Sequence, residues 1–410
     1  EAFYERLREA FNDILLTDGY DGNGEEALSY THFHKSRQWF IERDPNKDRK
    51  AEDKLSYSTP EMRAYTNLIR GYRAALVREP LELVAYIVRN DRPFTEIVTA
   101  DYIMVSPYTS RGYGLFEELK DKFKNPEDAF EYIPTRLPAL TDDRSGKVVQ
   151  DSETGYYPHA GVASTFQYLK RYPTTETNRN RLRVRMYFEH FLGIDLLQLA
   201  PRVGDATEAA TKYEIPTMQA ADCVVCHKVM DPVAGLFQDY YALDGNGIFA
   251  PRKDGWYKDM FPPGHANDGL PGEHKWRSLQ WLGERTAKDP RFAIAMVGHV
   301  WYVLTGRKPL LPPEDIDDHL FRAKRRAYQT QRDEIEQIAA RFAESNFNLK
   351  VVFKEWVASP FFRADGLATA VNDPQRLAEL DDVGVTRLLT PEQQFPGSLE
   401  FGFFAGKRAI

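Results

Sequence analysis

Two cysteines and a histidine stand together near the middle of this chain. Cys223, Cys226 and His227 form a C-x-x-C-H motif, and these are the only cysteines among the 410 residues. The spacing is the attachment signature of a c-type haem. The two thiols can form thioethers on one edge of a porphyrin, and the histidine then reaches the iron as its proximal ligand. The motif predicts one covalent haem c, so we expect the surrounding region, 216–310, to pack against an apolar porphyrin face.

Three other readings of the motif have less support. A structural zinc site needs four ligands, and the chain has no second pair of cysteines to complete one. A thioredoxin-like dithiol usually opens a helix in a βαβ pattern, which this sequence lacks. A coincidental pair of free thiols leaves the adjacent His227 unexplained.

Length, composition and charge restrict the class of protein. A chain of 410 residues predicts two or three helical subdomains, and 42% hydrophobic with 13% aromatic residues is enough to build packed cores. The net charge of −7 argues against a nucleic-acid partner and is compatible with docking to a basic protein. No run of eighteen apolar residues occurs, so we expect no transmembrane span.

Hydrophobic periodicity predicts a mainly α fold, because alternation of the β type is scarce. The predicted helices are 2–16, 60–78, 80–89, 91–102, 178–193, 216–230, 289–306, 314–344 and 348–358. The segments 105–114 and 125–160 are expected to be loops, and the last twenty residues an extended tail. Two Asp-Gly-Asn-Gly segments, at 21–24 and 244–247, lack the glycine and glutamate of a calcium loop and are interpreted as turns.

These elements predict a multi-helical scaffold with an embedded cytochrome-c-like haem domain. We expect an N-terminal helical region with a long connecting loop at 1–158, the haem c domain at 159–310, and a C-terminal helical region with an extended tail at 311–410. The helix 289–306 has the clearest boundaries, since Asp289 can cap it, Pro290 suits its first position and Gly306 can end it.

The sixth iron ligand is a separate question, and Met260 is the first candidate. It lies in a loop braced by Pro262 and Pro263, after the motif, where small cytochromes c also present a methionine. Met104 and His299 are the alternatives, although a histidine on an apolar helix stripe is more often a core residue. His265 and His274 lie in the polar loop near Met260 and stay open as further candidates.

The segment around the motif resembles a known family. Residues 223–247 read CVVCHKVMDPVAGLFQDYYALDGNG, which is similar to the planctomycete-type cytochrome-c-like family, a group of large exported bacterial proteins of mostly unknown function. The matching positions are Asp231, Pro232, Gly235, Phe237, Asp244 and Gly247, with one extra residue and a tyrosine pair as departures. Segments at 94–105, 159–194, 289–307 and 347–363 also match. The resemblance informs architecture and location more than chemistry.

Export is expected, because covalent haem attachment takes place outside the bacterial cytoplasm. We therefore expect a periplasmic or extracellular protein whose numbering begins after a removed segment. Of the alternating arginines 179, 181, 183 and 185, one could pair with a haem propionate.

The sequence favours a monohaem c-type cytochrome that acts in electron transfer. Its size relative to a single haem suggests a subunit of a larger redox assembly, with redox proteins as partners. One alternative is a haem oxidoreductase of the peroxidase type with an open sixth coordination position. Another is a structural or assembly protein that the haem stabilises. On the leading reading, iron is bound by His227 and Met260, and no residue is assigned a catalytic role.

Overall fold

The computed structural model describes residues 1–18, 23–198, 211–240, 249, 255, 258–363 and 373–376. The described chain is mainly helical, which confirms the mainly α fold, while the embedded haem domain stays a prediction. The chain divides into two compact units, Glu1–Phe292 and Ala293–Ile410. The three-part organisation with boundaries at 158 and 310 stays a prediction. Most of the two Asp-Gly-Asn-Gly segments and the whole C-terminal tail lie outside the described residues.

The α-helices follow one another along the chain with few strands between them. They are α1 Ala2–Leu15, α2 Tyr30–Phe33, α3 Pro60–Arg89, α4 Glu96–Thr99, α5 Pro107–Gly112, α6 Phe116–Leu119, α7 Phe166–Arg171, α8 Arg181–Leu192, α9 Pro216–Gln219, α10 Ala221–Leu236, α11 Ser278–Thr286, α12 Pro290–Thr305, α13 Phe321–Glu344, α14 Leu349–Ala358 and α15 Pro360–Arg363. Within the described residues, no helix is both long enough and apolar enough to cross a bilayer.

Short 3₁₀ helices and two small two-stranded antiparallel sheets lie between the α-helices. The 3₁₀ helices are Gly24–Ala27, Trp39–Arg43, Ala51–Asp53, Lys120–Lys122, Leu196–Gln198, Gln238–Tyr240 and Gly272–Arg277. Strand β1, Ile103–Val105, pairs antiparallel with β2, Ile133–Thr135, with Met104 opposite Pro134. Strand β3, Gly264–His265, pairs antiparallel with β4, Asp268–Gly269.

Helix α3 corrects the prediction of two separate helices at 60–78 and 80–89. It runs for 30 residues and includes Pro80 in its interior. Proline lacks the N–H that would bond to the Leu76 carbonyl, a loss of about 3 kcal/mol in a helix interior. Leu76 and Val84 are fully buried, and Arg8 on the neighbouring helix α1 lies 3.2 Å from Glu82 of α3. Packing on both sides of Pro80 therefore holds the helix together.

Helix α5 lies within residues 105–114, so the prediction of a loop there is wrong. Ser106 caps it: the Thr109 N–H donates to Ser106 Oγ at 3.2 Å, and the Ser106 N–H donates to Thr109 Oγ1 at 2.9 Å. Pro107 occupies the first helical position, where its missing N–H costs nothing. This capping box has threonine at the position where glutamate or glutamine is usual, so the usual sequence pattern for a capping box does not identify it.

Other boundaries agree with the sequence or differ in extent. The expected helix at 91–102 is reduced to α4, and the expected helix at 314–344 begins only at Phe321. In α12, the Arg291 N–H donates to Asp289 Oδ1 at 2.9 Å, and Gly306 follows with a φ of 66°. The predicted start and end of the helix 289–306 are thus confirmed.

The second unit has a tryptophan pair in its core. The rings of Trp301 and Trp356 lie 4.6 Å apart between their centroids, and both side chains are buried. Trp356 Nε1 donates to the Val297 carbonyl at 3.0 Å, so its polar atom is satisfied inside the core. This contact joins α14 to α12.

Candidate haem-attachment site

The C-x-x-C-H motif lies near the beginning of helix α10. The segment expected to form one helix at 216–230 consists instead of α9 and α10, separated at Ala220, whose ψ of 125° is extended. Helix α10 also continues to Leu236, beyond Pro232. Pro232 cannot donate to the Lys228 carbonyl, but Lys228 is exposed and water can take that position. The motif is therefore held on a regular helix of its own.

The three motif residues lie on the same face of α10. At 3.6 residues per turn, Cys223, Cys226 and His227 fall within a sector of about 100°. All three are half-buried, and the two cysteines do not form a disulfide. Cys226 Sγ lies 3.7 Å from the Leu196 carbonyl oxygen, which belongs to the 3₁₀ turn after α8. Two thiols and an imidazole thus face the same direction.

A buried carboxylate orients the imidazole of His227. His227 Nδ1 lies 3.0 Å from Asp231 Oδ1, and Asp231, one turn further along α10, has no exposed surface. An ionised carboxylate can only accept, so we assign the imidazole proton to Nδ1. Nε2 is then the nitrogen that remains for a metal.

Arg181, at the start of α8, forms an ion pair with the carboxylate of Asp231. Its Nε donates to Asp231 Oδ1 at 2.8 Å and its Nη2 to Oδ2 at 3.2 Å. Burial would raise the pKa of Asp231, but the hydrogen bonds from His227 and Arg181 outweigh this, and the pKa lies below its usual value. Asp231 is therefore ionised at neutral pH and holds His227 as a charged acceptor.

The other arginines of the alternating series also have partners within the protein. Arg179 forms a two-pronged pair with Asp259, with Nη2 lying 2.7 Å from Oδ2. Arg185 Nε lies 3.4 Å from Asp195 Oδ1. The pairing of one arginine with a propionate stays a prediction, and any such contact would have to share an arginine with one of these partners.

Arg183 differs from its neighbours because it is completely buried and donates mainly to backbone carbonyls. It donates to the carbonyls of Leu169 at 2.9 Å, Tyr172 at 2.8 Å and Tyr240, and to Asn180 Oδ1 at 2.8 Å. Burial lowers the pKa of Arg183 to about 9. This side chain connects α7 and α8 to the segment that follows α10.

Met260 is a buried side chain in a partly exposed loop that contacts the motif helix. Its side chain is 2% exposed. The loop is attached at Asp259, whose carboxylate pairs with Arg179 and whose carbonyl lies 3.5 Å from Thr217 Oγ1, and at Pro263, which packs on Gly235 of α10. The Met260 loop thus lies against α10 at Gly235, and the assignment of Met260 as the sixth ligand stays a prediction.

The alternative ligands lie in different surroundings. Met104 is buried on β1, which packs against α3 and β2. His299 is half-buried on α12, in the second unit. His265 lies on β3, which contacts α10, and its buried Nδ1 has no hydrogen-bond partner among the described residues. Burial lowers the pKa of His265, so it is a neutral imidazole. His274 is half-buried in the following 3₁₀ turn.

The donor set fits a haem c. A porphyrin supplies four nitrogens to the iron, so the protein has to supply only the two thiols and one or two axial ligands. The part of the chain that the structure describes contains no cluster of three or more His, Cys, Asp and Glu side chains able to hold a metal ion. The fit to a haem c depends on one face of α10. This face carries Cys223, Cys226 and His227, whose imidazole is bound to Asp231.

Two residues of this site were not recognised as functional from the sequence. In the sequence, Asp231 is one of the matching positions of the family-like segment, and its i+4 spacing from His227 places it on the same helix face. Arg181 was one of four alternating arginines, and nothing in that pattern distinguishes it from the other three. Its role depends on the packing of α8 against α10, which is tertiary.

Comparisons with known proteins add no relatives. No protein-family model matches the chain, and neither the curated proteins nor the solved structures contain a match. The resemblance to the planctomycete-type cytochrome-c-like family consequently stays a proposal.

Proposed function

We propose that this chain is an exported monohaem c-type cytochrome that acts in electron transfer. The observation that carries the proposal is the common face of Cys223, Cys226 and His227, with the His227 imidazole oriented by Asp231. Two thiols at this spacing suit covalent attachment, and a fixed imidazole with Nε2 available suits axial ligation. The resemblance of residues 223–247 to the planctomycete-type family supports the same reading.

Each residue of the site then has a distinct part in holding the cofactor. Cys223 and Cys226 anchor the porphyrin edge, and His227 binds the iron through Nε2. Asp231 holds the imidazole ring and its tautomer, and Arg181 keeps the carboxylate ionised. A bound haem supplies the one-electron redox couple. The protein supplies orientation, burial and charge around that couple.

Met260 is our first candidate for the sixth ligand, with Met104 and His299 as alternatives. It is buried, and its loop is attached to the motif helix through Pro263. A thioether ligand stabilises reduced iron and suits an electron carrier.

The partners are proposed to be redox proteins, within a larger electron-transfer complex in the periplasm or outside the cell. A body of 410 residues is much larger than one haem needs, which favours a docked subunit. The net charge of −7 suits contact with a basic partner and disfavours nucleic acid.

One observation favours a second candidate, a haem oxidoreductase of the peroxidase type. A charged carboxylate on His227 Nδ1 makes the imidazole a stronger electron donor, which stabilises oxidised iron. That property opposes the stabilisation of reduced iron that a Met260 ligand would provide, so it suits an iron with an open sixth position.

Three measurements test these proposals. Acid–organic extraction of the denatured protein should leave one haem on each polypeptide, and a reduced-minus-oxidised absorption spectrum should have the bands of haem c. Freely extracted haem, or two or more irons per chain, would contradict the proposal. Carbon monoxide added to the reduced protein distinguishes the candidates: slow or absent binding supports the carrier, and rapid binding supports the open-site enzyme.

A further inference from the structure

The hydrogen bond between His227 and Asp231 has unusual surroundings for so polar a contact. Asp231 has no exposed surface, so water does not weaken its interaction with the imidazole. The carboxylate stays charged because two groups donate to it: His227 Nδ1 at 3.0 Å and the Arg181 guanidinium at 2.8 and 3.2 Å. Both His227 and the Arg181 Nε use the same oxygen, Oδ1.

The charge on an acceptor determines how much electron density the imidazole can give to a metal. A neutral acceptor polarises the Nδ1–H bond weakly, whereas a desolvated carboxylate draws the proton toward itself and makes Nε2 more basic. A more basic axial ligand stabilises ferric iron relative to ferrous iron. Arg181 makes His227 Nε2 less basic, because its positive charge partly compensates the negative charge of Asp231.

We propose that Asp231 and Arg181 are positioning residues that set the reduction potential of a haem bound at His227, Asp231 by lowering it and Arg181 by limiting that effect. This inference rests on the proposed haem attachment. It implies that Asp231 and Arg181 have opposite effects on the reduction potential of the haem. Removing either one should move the potential, and the two changes should have opposite signs.

The main test is the ferrous-to-ferric ratio at a fixed applied potential, measured at pH 8 on protein with one covalent haem per chain. We expect Asp231→Asn to increase this ratio at least tenfold, which corresponds to about 59 mV for a one-electron couple. We expect Arg181→Gln to decrease it. The second variant keeps the proposal testable if Asp231→Asn does not fold.

Asp195→Asn is the matched control. Asp195 pairs with Arg185 of α8, the helix that also carries Arg181, and its replacement eliminates one negative charge as Asp231→Asn does. Its carboxylate accepts from the Leu197 N–H at 3.0 Å and makes no hydrogen bond to His227 among the described residues, so we expect a change in the ratio of less than threefold. The comparison separates an effect transmitted through the imidazole from a general effect of charge.

A second readout reports the imidazole itself. In the ferric cyanide complex, the hyperfine-shifted proton signals of the His227 ring reflect its donor strength, whatever the native sixth ligand is. They should move in opposite directions in Asp231→Asn and Arg181→Gln and stay in place in Asp195→Asn.

The outcomes separate this inference from the function on which it rests. If the wild-type protein carries covalent haem but Asp231→Asn and Asp195→Asn have the same effect, the role of Asp231 is overturned while the proposed function stands. Shifts of the same sign in Asp231→Asn and Arg181→Gln also overturn the inference. A wild-type protein without covalent haem overturns both.

Discussion

Pro263 fills the space in which a side chain at Gly235 would lie. A methyl group on Gly235 would come within 2.8 Å of Pro263 Cγ, closer than real Cβ contacts come, and within 3.1 Å of its Cα, which is tighter than most such contacts. Glycine inside a helix costs roughly 1 kcal/mol relative to alanine, so the sequence gives up some stability of α10 to allow this approach. The contact fixes the Met260 loop against the motif helix.

The variant Gly235→Ala tests that contact. A proline ring cannot rotate away, so we expect the free energy of unfolding to fall by about 2 kcal/mol, as is typical for overpacked sites. Urea denaturation monitored by circular dichroism measures the change. Gly272→Ala is the control, since a methyl group at Gly272 meets nothing within 4 Å. Equal stability of the two variants would show that the loop can move aside without cost.

The variant Met260→Leu tests the sixth ligand without opening a cavity, because leucine has nearly the volume of methionine. We expect loss of the weak long-wavelength sulfur-to-iron absorption band, a lower reduction potential and faster binding of carbon monoxide. Met104→Leu should change none of these. An unchanged spectrum in Met260→Leu would transfer the role to Met104 or His299, which the corresponding variants would then distinguish.

The sequence correctly predicts those helices whose ends carry capping residues. It does not predict helix bounds that depend on tertiary packing. Asp289, Pro290 and Gly306 are within one turn of the ends of α12, and their roles can be read from residue type alone. Pro80 and Pro232 carry the opposite signal, yet both lie inside helices. Buried neighbours around Pro80 stabilise a helix that a local rule would end, and that burial cannot be read from the sequence.

Glu79 provides a test of stability against pH. It is buried on α3, where Tyr113 Oη donates to its Oε2 at 2.6 Å, and burial raises its pKa to about 8. The folded protein keeps this proton, while the unfolded chain releases it near the usual glutamate pKa of 4.5. Stability should therefore fall as the pH rises from about 4.5 to about 8.

The variant Glu79→Gln should remove this loss, because glutamine resembles the protonated side chain and does not ionise. We expect its stability relative to wild type to increase by about 1 to 2 kcal/mol between pH 5 and pH 7. Unfolding free energies at the two pH values measure the difference. Glu118→Gln, at an exposed position on α6, should give the same change with pH as wild type.

His159 predicts the opposite dependence on the acid side. It is buried, its Nε2 accepts from the Leu137 N–H at 3.3 Å, and burial lowers its pKa to about 3. Below about pH 6.5 the unfolded chain binds a proton that the folded protein refuses, so stability is lost as the pH falls.

The variant His159→Gln keeps an acceptor for Leu137 and cannot be protonated. Between pH 7 and pH 5 we expect it to lose about 1 to 2 kcal/mol less than wild type. His34→Gln, at an exposed position, is the control. Parallel losses in His159→Gln and wild type would mean that His159 is already charged in the folded protein.

In the candidate site, as in the fold, some residues can be predicted from local sequence patterns and others depend on tertiary packing. Cys223, Cys226 and His227 are recognised by spacing alone, because covalent attachment requires that spacing. The contact between Asp231 and His227 follows from helical periodicity and could have been predicted from it. Arg181 reaches Asp231 only because α8 packs on α10, and no pattern within either segment indicates that packing.

Arg183 has a consequence for which substitutions the chain can tolerate. Its guanidinium serves acceptors on three stretches of chain, at Leu169 and Tyr172, at Asn180, and at Tyr240. Lysine has three donors on a single nitrogen and cannot reach acceptors spread around a planar group. In a library of all nineteen replacements at this position, we therefore expect almost no variant to fold, although Arg183 is not one of the residues assigned to haem attachment. Positions that look interchangeable in a run of alternating arginines can differ completely in how freely they vary.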